Sequence, residues 1–108
     1  MRIVTLNANG IRSATSKGFL SWMKRQKADL VCLQEVKAHE ADLDPAILGP
    51  KGWLGHFHCA EKKGYAGVGL YTRERPDAVV KGFGVKEFDA EGRYLEARFG
   101  KLSVISVY

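Results

Sequence analysis

The sequence predicts a mixed α/β domain with one parallel strand–helix–strand unit and an antiparallel remainder. Three observations carry this. A β-branched run, "RIVTLN" at 2–7, and a continuous apolar run, "DLVCLQ" at 29–34, flank a segment of helical spacing. A connection that holds a helix joins parallel strands. From residue 53 onward, short alternating runs follow one another with brief connections, the pattern of antiparallel pairing.

The elements read in order as follows. Residues 2–7 form a strand that "ANG" ends, with Gly10 permitting a tight turn. Residues 16–27 read as a helix. Phe19, Leu20 and Met23 share one face, Lys17, Lys24, Arg25 and Lys27 lie mostly off it, and Ser16 is the expected N-cap. Residues 29–34 return to strand, with Leu30 to Leu33 apolar on both faces. "EADLDPAILGPKG" at 40–52 reads as loop and short helix, broken by Pro45 and Pro50. Strands follow at 53–60, 64–73, 77–84, 93–100 and 101–108, the last two turning at Gly100–Lys101. The chain of 108 residues fits one domain, spanning 1–108. It shows no linker, repeat or low-complexity tract.

Composition narrows the function classes. Seventeen Lys and Arg against twelve Asp and Glu give a formal charge of +5, which favours an anionic partner, nucleic acid first. The bases are dispersed, and the small clusters at Lys24, Arg25, Lys27 and at Lys62, Lys63 read as solvated surface when taken alone. No stretch nears the ~20 apolar residues of a bilayer span, so no membrane partner is expected. The first ten residues lack the apolar core of a signal peptide, and Cys32 and Cys59 form no CxxC pair. A reducing cytoplasm is the expected location.

Topology places the chemistry. Two adjacent parallel strands end at the same sheet edge, and that edge is where open α/β sheets bind ligands. Asn7 ends one strand and Glu35 follows the other. Neighbouring strands lie ~4.8 Å apart, so the two side chains can converge. Glu35 comes straight after an apolar run, where a carboxylate costs desolvation unless Lys37 or a metal pairs it. Oxygen ligands of this kind suit Mg²⁺, which keeps waters and takes one or two carboxylates. Against this stand bland readings. Asn7 and Asn9 serve turns by bonding their own backbone. Lys37 reads equally as a surface lysine. "EKKGYAGVG" at 61–69, whose glycines and Tyr65 suit a phosphate, reads first as a hairpin loop. His56 and His58 share a face without a third ligand, and read as a satisfied or exposed pair. Trp22 and Trp53 read as packing residues. By alternation alone, Tyr108 is a core aromatic.

Five blocks in order then carry a resemblance: "LNANGIRS" at 6–13, "LQEVK" at 33–37, "GYAGVGLYTR" at 64–73, "EGRYLEARF" at 91–99 and "LSVISVY" at 102–108. Together they resemble the exonuclease III branch of the endonuclease/exonuclease/phosphatase superfamily, most closely bacterial exodeoxyribonuclease III-type apurinic/apyrimidinic endonucleases. The resemblance implies a DNase I-like four-layer α/β sandwich made of two similar halves, of which this chain is about the N-terminal one. It implies a repair nuclease that needs Mg²⁺ or Mn²⁺, incises double-stranded DNA 5′ to abasic sites, and acts at 3′ ends as a 3′→5′ exonuclease.

The same resemblance implies roles. Glu35 is the principal metal ligand, with Asn7 in or beside the metal's shell. Asn9, in place of an aspartate of some relatives, supports them with Lys37. Gly64, Tyr65 and Arg73 contact the DNA backbone, and Tyr108 is an active-site tyrosine. The family's later "GDxN" and "SDH" blocks, which bring the Asp base, a second Asn and the His, are not among these residues. The 108-residue chain by itself is therefore expected to be inactive and prone to self-association, and the complete protein a monomer. A strand ending at Tyr108 fits the same expectation of a longer protein.

Three rival readings differ in chemistry. Catabolite-repression-control regulators are similar in "GFLSW" and "GRYL" but bind in RNA–protein complexes and tend to lose the glutamate, the lysine and the tyrosine. Here Glu35, Lys37 and Tyr108 are present. DNase I-like nucleases and inositol-phosphate or lipid phosphodiesterases share the asparagine and glutamate without these flanking words. An inactive structural half-domain is the third.

Overall fold

The computed structural model describes all 108 residues. Strand β1 (Ile3–Asn7) leads through helices α1 (Ile11–Ser16) and α2 (Phe19–Arg25) to β2 (Leu30–Gln34). A 3-10 turn (Glu40–Asp42) and α3 (Pro45–Leu48) precede β3 (Leu54–His58) and β4 (Val68–Thr72). Strand β5 (Ala78–Lys81), α4 (Lys86–Asp89), β6 (Tyr94–Phe99) and β7 (Leu102–Val107) complete the chain.

β1 and β2 pair in parallel, with Asn7 opposite Gln34, so both strands leave the sheet at one edge. β4 then joins β2 antiparallel, and β3 joins β4, giving a mixed sheet in the order β1-β2-β4-β3. The remaining strands form a second, antiparallel sheet in the order β5-β6-β7.

Alternation along β2 explains the layers. Val31 and Leu33 face a cluster with Ile11, Phe19, Met23, Phe57 and Tyr71, which seats the helices. Leu30 and Cys32 face the other way and join Val68, Leu70, Leu95, Ala97 and Val104 between the two sheets. The order is thus helices, mixed sheet, second sheet. Both faces of β2 are buried, which is why its sequence is continuously apolar. Leu33 is fully buried, and truncation to Ala would cost about 2–5 kcal/mol. Trp53 lies in the helix-side core and Trp22 packs against it, as packing residues.

The helix differs from expectation. Residues 16–27 do not form one helix, and Ser16 is not its N-cap. Ser16 is the last residue of α1, and its hydroxyl donates back to the Ser13 carbonyl at 2.7 Å. Gly18, at φ 96°, breaks the chain there and precedes α2. α1 begins five residues earlier because its first N–H groups find partners outside the helix. Gly10 N–H donates to Glu35 O at 2.8 Å, and Ile11 N–H to Val36 O at 3.0 Å. The exit of β2 therefore caps α1. α4 was not expected either. Its Asp89 carboxylate accepts from Phe83 and Gly84 N–H, each at 3.0 Å, a local loop motif without apolar periodicity.

Candidate active site

The carboxyl edge of the parallel pair collects the polar residues. Asn7 Nδ2 donates to Glu35 Oε1 at 2.8 Å. Asn7 Oδ1 accepts from Asn9 N–H at 3.0 Å, so the turn reading of Asn7 also holds. Lys37 Nζ donates to Asn9 Oδ1 at 2.7 Å and lies 3.3 Å from Glu35 Oε2. Asn7, Asn9, Glu35 and Lys37 thus form one closed network across two strand ends. Cavities of about 600 Å³ open on either side of Asn7, one along α1 and α2 and one toward β7 and Tyr108.

The backbone of this edge is unusual. Asn9, Glu35, Lys37 and Ala66 all have positive φ, between 40° and 53°. Side chains avoid this region at a cost of about 1 kcal/mol per residue, and such strain gathers at functional sites. Backbone bonds hold it. Val36 N–H donates to Gly67 O at 3.0 Å and Lys37 N–H to Ala66 O at 2.8 Å. The 59–67 connection is the hairpin loop between β3 and β4, and its end is laced to the Glu35–Lys37 segment. Gly64 and Tyr65 sit in this loop, exposed, with Lys62 Nζ 5.6 Å from the Tyr65 ring centroid.

The Glu35 carboxyl is held below the usual carboxylate range. The Asn7 amide does most of this, partial burial opposes it, and Lys37 and the Tyr108 hydroxyl add to it. Tyr108 is not a core aromatic: it is 45% exposed, just past the end of β7. The reason is the pairing of β6 with β7, which carries the chain end to this same edge.

Arg73 does not join the group. β4 runs antiparallel to β2, so Arg73 lies beyond Thr72, opposite Leu30, at the far end of the sheet. Its guanidinium carbon is 3.8 Å from the Trp53 ring centroid and its Nε donates to Ala28 O at 3.3 Å. The histidines are occupied as the satisfied pair expected. His56 Nε2 bonds Thr72 Oγ1 at 3.2 Å and His58 Nδ1 bonds Tyr94 O at 2.9 Å. No cluster of three His, Cys, Asp or Glu occurs, so a metal here would rest on a single carboxylate.

Arg93 is the neighbour that sequence reasoning missed. Its Nη1 donates to Tyr108 O at 3.1 Å, and its guanidinium carbon is 5.3 Å from the Tyr108 ring centroid. The signal was its place one residue before β6, which pairs it with the residue after β7.

Comparison with known proteins identifies the family and the fold. A model of the Endonuclease/Exonuclease/phosphatase family matches residues 4–108. An exodeoxyribonuclease of Bacillus subtilis is 37% identical over all of this chain and 42% of its own length. A DNA-(apurinic or apyrimidinic site) endonuclease of Dictyostelium discoideum is 32% identical over all of this chain and 30% of its own length. The structure of an AP endonuclease from Archaeoglobus fulgidus superposes on the whole chain with a TM-score of 0.84 at 30% identity, over 41% of its own chain. The chain spans less than half the length of each of these relatives. With the family model matched across both sheets and the Asn7–Glu35 edge, the chain belongs to the Endonuclease/Exonuclease/phosphatase family.

Proposed function

We propose that this chain carries the glutamate-bearing half of a divalent-metal-dependent nuclease site, and that the complete protein incises double-stranded DNA 5′ to abasic sites. A 3′→5′ exonuclease action on DNA ends accompanies it. The carrying observation is the convergence of Asn7, Glu35, Lys37 and Tyr108 at one sheet edge. The names of the relatives, exodeoxyribonuclease and apurinic or apyrimidinic site endonuclease, support the same reading.

The donor set fits Mg²⁺ or Mn²⁺. Glu35 is a carboxylate kept ionised, partly exposed, with a spare lone pair on each oxygen beyond its Asn7 and Lys37 contacts. Glu35 would hold the ion, with the Asn7 amide beside it. Such an ion polarises a phosphate oxygen and stabilises charge on the leaving oxygen. Asn7 and Lys37 fix the carboxylate's orientation, and Asn9 fixes Lys37. Tyr108 stands ready to donate to a phosphate oxygen. The exposed Gly64–Tyr65 loop offers N–H groups and a hydroxyl to the DNA backbone.

The 108 residues serve in this reading as the N-terminal half of the catalytic domain, supported by their share of the relatives' length. Exposed Ile3, Leu102, Ile105 and Val107 along the β1 and β7 edges support self-association of this half alone and a monomer when it is covered. Two free thiols, Cys32 and Cys59, support a reducing cytoplasmic location. The test is incision of an abasic-site duplex by the complete protein, with and without chelator, beside Glu35→Gln. Chelator-sensitive cleavage that falls in Glu35→Gln is expected. Unchanged cleavage in Glu35→Gln would sink the reading.

A further inference from the structure

We infer that Arg93 is a positioning residue for Tyr108, clamping the tyrosine so that its hydroxyl is presented to the Glu35 edge. The inference rests on the nuclease reading above for its kinetic consequence, and on geometry alone for the clamp.

Tyr108 follows the last residue of β7, directly opposite Arg93 in the β6–β7 register. Arg93 holds it three ways. Tyr108 N–H donates to Arg93 O at 3.0 Å, and Arg93 Nη1 donates to Tyr108 O at 3.1 Å. The guanidinium also lies 5.3 Å from the ring centroid, within cation–π range. Arg93 is itself anchored, with Nε 3.3 Å from Glu91 Oε1. Its side chain is 26% exposed, so the fork is partly shielded and directed. A lysine cannot hold Glu91 and the Tyr108 carbonyl with one planar group. The backbone pair survives any substitution at 93; the fork and the ring contact do not.

Two consequences separate this role from ordinary strand closure. Loss of the fork should loosen the Tyr108 ring without unfolding the sheet. In the complete protein, it should lower turnover through Tyr108 alone.

The experiment compares Arg93→Gln, Arg93→Lys, Tyr108→Phe and Arg93→Gln/Tyr108→Phe in the complete protein. One arm follows ¹³C-tyrosine relaxation of the Tyr108 ring, with thermal unfolding as the control for global stability. Arg93→Gln should mobilise the ring at an unchanged unfolding midpoint, and Arg93→Lys should rescue it only in part. A ring equally ordered in Arg93→Gln overturns the clamp, whatever the enzyme does. The second arm measures abasic-site incision. Arg93→Gln should lower kcat about tenfold with duplex affinity held within about twofold, and add nothing to Tyr108→Phe. Fully multiplicative losses, or a loss confined to affinity, overturn positioning in favour of an independent contact. Absence of metal-dependent cleavage in the unsubstituted protein would strike the nuclease reading instead, and the relaxation arm would still decide the clamp.

Discussion

The side-chain amide of Asn7 donates to Glu35 Oε1 at 2.8 Å, across the ends of two parallel strands. The same Asn7 accepts from the Asn9 N–H with its oxygen, so one side chain serves both a turn and a carboxylate. Asn7→Ala removes both bonds. In the complete protein, activity should fall about 10–100-fold through a freed Glu35. Loss of the turn bond should lower stability by about 1 kcal/mol. Steady-state kinetics and thermal unfolding check the two parts separately.

Lys37 bridges Asn9 and Glu35, at 2.7 Å and 3.3 Å. Lys37→Met keeps the apolar stem and removes the charge. Metal-dependent activity should fall about tenfold, and the Glu35 pKa should rise. Carboxyl ¹³C titration reads the second effect. A lysine that is merely on the surface would leave both unchanged.

The two depressed carboxylates set an acid dependence. Glu96 is held at about 2 against an ordinary 4.5, by Arg98 first, then by the Tyr94 and Ser103 hydroxyls. A folded pKa below the unfolded one means the stabilisation is present above pH 4.5 and is lost as pH falls toward 2. Melting temperature should therefore fall faster in the native chain than in Glu96→Gln through that window. Parallel curves would contradict the network. Glu35 has the same sign, so metal affinity should persist below the usual carboxylate range.

Gly92 has φ 62°, and a Cβ there would lie 2.7 Å from the Cys59 carbonyl carbon and against the His58 oxygen. Gly92→Ala should destabilise by about 2–4 kcal/mol, read by denaturant unfolding. Because Arg93 follows directly, Tyr108 should also be displaced.

The fold was legible where periodicity was strong. β1, β2 and their parallel pairing follow from two apolar runs and a crossover, and that pairing alone brings Asn7 to Glu35. α1 was not legible, because "IRSATS" has one apolar anchor and its cap is the carbonyl row after β2. The division into two sheets was hidden too, since antiparallel connections do not reveal which neighbour a strand chooses. Within the site, Glu35 and Lys37 were suggested by charge after an apolar run. Tyr108 needed the resemblance, as alternation reads it as core. Arg73, a DNA-backbone contact by resemblance, lies at the other end of β4 from the Glu35 edge, because a strand's two ends lie on opposite edges. Arg93 was invisible without the β6–β7 register.

The most direct test of the central claim is Mn²⁺ binding to the complete protein, followed by electron paramagnetic resonance. Titration of the unsubstituted protein and Glu35→Gln should show a site that is present in the first and weakened at least about tenfold in the second. Equal Mn²⁺ affinity in both would contradict a metal site built on Glu35.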